Sequence, residues 1–143
     1  MLQALVFLHL IAATIWTGGH LILALRYLPK ALKKKDFGII EAFEKQYEPI
    51  GLPSLLVLAA TGIYFATQYA PDFFVLDLGD HHTRHVAIKL GLLLATVLLA
   101  LHARLVLIPK RALQPLAVHI IAVTVLSVAF VFVGFSARSG GLL

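Results

Sequence analysis

Six ionisable side chains sit inside long apolar stretches of this 143-residue chain: His9, His20, His85, Lys89, His102 and His119. An ionisable group held in lipid is costly unless partnered, so each is a functional candidate by default. Imidazole nitrogens ligate metal ions, supply axial ligands to iron porphyrins and bond to carbonyls or hydroxyls. His9 and His20 are eleven residues apart. At about 100° per residue they fall within about 20° of one helical stripe, and about 16–17 Å apart along it. His85 and Lys89, four residues apart, also share a face. The chain has no cysteine, which excludes disulfides and thiolate metal sites. Its single methionine is Met1, so soft sulfur ligands are scarce.

The elements that must hold these groups are membrane helices. Composition is 60% hydrophobic and 13% charged, with a mean hydropathy of +0.93. A bilayer core about 30 Å thick needs roughly 20 apolar residues in a helix. Four segments qualify, about 2–27, 49–70, 84–108 and 113–137. All are too long for strands, and only helices or closed barrels satisfy backbone groups in lipid. Short connections favour an all-α, integral membrane, antiparallel four-helix bundle, with residues 1–143 as a single domain. The N-terminus lacks a basic region and a cleavage site, so a retained first span is expected.

The connections differ in charge. The first carries Arg26, Lys30, Lys33, Lys34, Lys35 and Lys45, and the third carries Lys110 and Arg111 just after Arg104. The second holds Asp72, Asp77 and Asp80 and one arginine, with His81 and His82 as outer-loop residues. The positive-inside rule places loops one and three in the cytoplasm and both termini outside, in a cytoplasmic (inner) membrane. The net charge of +5 is assigned to these retained residues, and no nucleic-acid partner is expected. Phe37, Ile40, Phe43 and Tyr47 line one face of a short amphipathic helix over 36–48, lying in the interface or forming a solvated connector. Pro49 and Pro53 suit an irregular approach to span two, and Pro115 the first turn of span four.

Depth sorts the histidines. His20, His102 and His119 each lie about six residues from the inner edge of a different span, hence at one level. A b-type haem needs two axial imidazoles from different helices, and His20 with His102 or His119 would supply them. The third would bond a propionate, a quinone or a backbone group. His9 with His85 would hold a second haem near the outer side, with Lys89 as a propionate partner, an unusual ligand or a snorkelling lysine. Arg84 and Arg104 are further propionate partners. Gly18 and Gly19 beside His20, Gly62 in span two and Gly91 in span three would open room at the bundle centre.

The first expectation is therefore a di-haem membrane cytochrome b exchanging electrons with a quinone or a periplasmic redox protein. The alternative is a copper-handling permease in which His81, His82 and His85 capture the ion and His9, His20, His102 and His119 relay it, since imidazole suits copper. A structural subunit without a cofactor is the bland reading. Acidic residues are placed in loops, so paired carboxylates facing a pocket are not expected. Ser54, Ser127, Ser136 and Ser139 have no evident base, and no phosphate-binding glycine loop occurs. Cofactors near lipid favour a homodimer or a place in a larger complex.

Three stretches carry a resemblance. LHLIAATIWTGGH, FEKQYEPIGLPSLLVLAATGIYFA and HVAIKLGLLLATVLLALHARLVLIPK together resemble the copper-resistance protein D (CopD) superfamily, which includes the HemJ-like protoporphyrinogen oxidases. The likeness covers nearly the whole chain and rests on H-x6-W-x-G-G in span one, a glycine late in span two, and H-x3-K-L opening span three. It implies a four-helix membrane fold and copper uptake, haem b chemistry or, as a third function, a haem-dependent protoporphyrinogen oxidase. In HemJ-like proteins a span-one histidine and a span-three lysine lie around the haem, which the resemblance carries onto His9 and Lys89. The early Leu-Pro-Arg run of that pattern is absent here, and His20, His102 and His119 are additional.

Overall fold

A computed structural model describes residues 1–69, 79 and 81–139. Four helices are long and apolar enough to cross a membrane. Helix α1 runs Leu2–Lys34, helical throughout but with a π-helical turn at Leu23–Tyr27. Helix α2 is Gly38–Tyr69, and α3 is His81–His102, extended by a second π-helical turn at Ala103–Leu107. Helix α4 is Leu113–Arg138. Among the described residues there is no strand.

Both described connections are tight. Lys35 ends α1 in the left-handed region (φ 52°), and the Asp36 amide returns to the Ala31 carbonyl at 3.0 Å. Such a stop satisfies terminal carbonyls that lipid or water would otherwise have to meet. The Asp36 carboxylate then accepts from the Gly38 amide at 2.9 Å, which starts α2. The connection between α2 and α3, with Asp72, Asp77 and Asp80, lies outside the described residues.

Side-chain pairs fix the register. Tyr27 tilts against Phe43, and His9 bonds Thr61, so α1 and α2 run antiparallel. Thr124 of α4 reaches the His20 carbonyl of α1 at 3.2 Å, and His102 of α3 meets His119 of α4. Around the bundle the order of close packing is α2, α1, α4, α3; α2 and α3 touch least. The tightest apolar core lies at the end holding the two described connections, hereafter the basic end. There Leu23, Ala31, Ile40, Leu107, Leu116 and Ile120 bring all four helices together.

The second span differs from its expected form. No separate amphipathic helix precedes it: α2 is continuous through Pro49 and Pro53. Each proline removes one backbone bond and crowds the preceding turn, at about 3 kcal/mol in an ordinary helix interior. The helix persists because its first turns are anchored. Phe37 and Ile40 are buried in the basic-end core, and Phe43 and Tyr47 pack on each other. The predicted apolar face is real, but it faces α1 rather than a membrane interface. The first span also continues past residue 27, and His81 and His82, expected in a loop, open α3 instead.

Candidate functional site

The two histidines of α1 are held in the same chemical form. His20 Nδ1 lies 2.9 Å from the Trp16 carbonyl one turn back, so Nδ1–H donates there and Nε2 keeps its lone pair. His9 Nδ1 lies 2.6 Å from the Thr61 hydroxyl on α2. That hydroxyl donates to the Val57 carbonyl, so it accepts from His9 Nδ1–H. His9 Nε2 is again the basic nitrogen. Metal-ligating histidines are commonly oriented this way, with the second ring N–H given to an oxygen.

Aromatic and glycine packing locks the His20 ring. Trp16 tilts against it at 4.3 Å between centroids, and Tyr47 meets it edge-on at 5.8 Å. The Tyr47 hydroxyl lies 3.2 Å from the carbonyls of both Ile15 and Trp16. Its ring fits only because Gly19 of α1 and Gly51 of α2 carry no side chain; a Cβ at either would overlap it. Gly18, the glycine expected to make room, would meet nothing within 4 Å, and Gly91 is likewise open and exposed. Gly62 does sit against a histidine: a Cβ there would come 3.9 Å from His9 Cε1. Phe65 completes that contact, edge-on to His9 at 5.5 Å.

His102 and His119 meet each other. His119 Nδ1 lies 3.0 Å from the Pro115 carbonyl and donates to it. Its Nε2 then accepts from His102 Nδ1–H at 2.8 Å, with ring centroids 4.9 Å apart. Neither ring stacks on His20, but His20 and His119 line one cavity of about 210 Å³ among the four helices. The histidines nearer the basic end are thus assembled as a bonded pair on α3 and α4 and a single imidazole on α1. Both π-helical turns directly follow this level, at Leu23 and Ala103. Such turns recur at functional sites because the extra residue re-aims the helix beyond it.

On α3, His85 is buried and Arg84 and Lys89 are half-buried. The Lys89 ammonium lies within electrostatic reach of His9. Arg104, expected to meet a propionate, instead forms an ion pair with Glu48 of α2. Arg111 pairs with Glu41 at 2.6 Å. Glu44 lies between these two glutamates and, with Glu48, lines the same cavity as His20. The placement of all acids in loops is therefore corrected: Glu41, Glu44 and Glu48 form one face of α2. Their i, i+3, i+7 spacing was readable, but only for a helix carried through Pro49. Trp16, four residues before His20, was readable as its neighbour; Thr61 and Tyr47 were not.

Among the described residues no three His, Asp or Glu side chains converge as a metal cage. The arrangement offers separate imidazole nitrogens at two depths, and a cavity bordered by carboxylates toward the basic end. No curated protein and no solved structure matches the chain. A family model described as copper resistance protein D does match, over residues 41–137. That match covers roughly two thirds of the sequence, including α2 from its acidic face onward, all of α3 and nearly all of α4. With four spans of sufficient length and apolarity, the chain is a multi-pass membrane protein and belongs to the CopD (copper resistance protein D) family.

Proposed function

We propose that the chain conducts copper ions through the cytoplasmic membrane, with the basic end inside. The observation that carries this reading is the common state of His9 and His20: each gives Nδ1–H to an oxygen and keeps Nε2 as a lone-pair donor. They stand about 16–17 Å apart on one stripe of α1. Imidazole is a suitable copper ligand. A station with one or two imidazoles binds weakly enough to release its ion, which conduction requires. An ion entering near the start of α3 would meet His9 first and His20 next, and would leave beside Glu44 and Glu48. The family match supports the choice of copper.

A haem b cytochrome is the second reading. It is favoured by His20 and His119 lining one cavity from α1 and α4. The His20–His119 pair does not fit that group as it stands. Two axial ligands need two lone pairs facing across a porphyrin, and the His119 Nε2 lone pair is taken by His102. The cavity is also below the roughly 300–1,000 Å³ usual for organic ligands.

Copper accumulation by cells expressing the chain separates the readings. Accumulation should exceed that of cells without it, and should fall to background in His20→Ala. Protein extracted from the membrane should show no Soret band. A red protein with a sharp reduced α-band, and no effect on cellular copper, would replace the copper reading with the haem one.

A further inference from the structure

The two ion pairs between described residues both cross the same seam. Glu48–Arg104 and Glu41–Arg111 each join α2 to the end of α3 or to the turn after it. This is the seam where α2 and α3 pack least. Across this seam the two ion pairs add to an apolar contact at the basic end, where Ile40 and Leu107 share one core.

Two cavities meet at it. The chamber holding His20 is bordered by Glu44, Glu48, Arg104 and Ile108. A second cavity of about 350 Å³, toward the basic end, is bordered by the same four residues together with Glu41 and Lys45. The two spaces thus share a wall, and the Glu48–Arg104 pair is part of it. Both partners are partly exposed, with side-chain accessibilities of 36% and 49%. Holding two long side chains in one geometry costs conformational entropy, which offsets part of what the pair gains.

We infer that the Glu48–Arg104 ion pair is a gate between the His20 chamber and the basic-end vestibule. Closed, it separates the imidazole from the aqueous side. Open, it leaves Glu44, which borders both spaces, as the polar group that a departing cation passes. Glu41–Arg111 lies farther out: Glu41 borders only the vestibule, and Arg111 borders neither space. It staples the seam without closing the chamber. The direction of passage rests on the copper reading, but the gate itself does not.

The absence of cysteine gives a clean test. Val123→Cys places one thiol on the buried wall of the His20 chamber. In vesicles, a neutral, membrane-impermeant thiol reagent is added from the basic side and the modification rate is measured without copper. Adding Glu48→Gln and Arg104→Gln should raise the rate about tenfold. The charge swap Glu48→Arg with Arg104→Glu should return it to the slow value. Glu41→Gln with Arg111→Gln should change it less than twofold. A rate unmoved by the neutral pair, or a swap as fast as the neutral pair, overturns the gate. Should the neutral pair fail to assemble, Arg104→Gln alone is compared with Arg104→Lys, and equal rates in these two overturn it. Copper uptake is then measured on the same variants. A responsive thiol with no copper uptake in any variant keeps the gate and rejects the copper reading.

Discussion

The two seams of α2 are built on opposite principles. Toward α1, the Tyr47 ring is pressed between Gly19 and Gly51, and hydroxyl and imidazole groups find partners across the contact. Toward α3, Arg104 and Arg111 reach two glutamates that border a cavity at the basic end. A helix pair in lipid has no hydrophobic drive to associate, so close backbone approach and polar bonds must hold it. The α1 seam uses both. The α3 seam lacks the close approach, and its charges can part without disturbing the other half. One helix can therefore hold a histidine in fixed orientation on one side and border a movable opening on the other.

The comparison breaks most sharply at the glycines. Gly19→Ala or Gly51→Ala should cost about 3 kcal/mol, because overpacking a fitted aromatic ring has no cheap relaxation. Gly18→Ala, with open space around it, should be neutral or stabilising by up to about 1 kcal/mol. Thermal unfolding in detergent reads the difference, and Tyr47→Ala should restore much of the loss in Gly19→Ala. Equal effects at Gly18 and Gly19 would remove the proposed fit.

Thr61→Val should come next, at about 1–3 kcal/mol, since it leaves the His9 Nδ1–H without its acceptor. Thr61→Ser should retain most of the stability. Tyr47→Phe keeps the ring and loses only the hydroxyl bonds to the Ile15 and Trp16 carbonyls, at about 0.5–1.5 kcal/mol. Smallest is Glu48→Gln with Arg104→Gln, at about 0–1 kcal/mol. A large unfolding shift in that last variant would make the α3 seam structural, like its counterpart.

His9 and His20 differ in a parallel way. His9 is anchored by a neighbouring helix, through Thr61, while His20 is anchored by its own, through Trp16. The alignment of the two on one stripe was legible from their spacing alone. Their tautomers were not, because the acceptor in one case lies 52 residues away. The meeting of His102 with His119 illustrates the same limit. Equal depth could be counted from the span ends, but whether two rings at one depth touch depends on how each helix is rotated.

By itself the sequence determined the all-α membrane class, the four spans, the basic end and the polar groups each span carries. These follow from length and hydropathy, which lipid enforces segment by segment. Only the tertiary structure decided that α2 runs through both of its prolines, that Tyr47 rather than Gly18 shapes the His20 surroundings, and that three glutamates face a cavity. The physical reason is rotational. Spans that are apolar all the way round carry no stripe to say which face turns inward. That choice is made by packing between helices, where a glycine notch or a single hydroxyl outweighs any local preference.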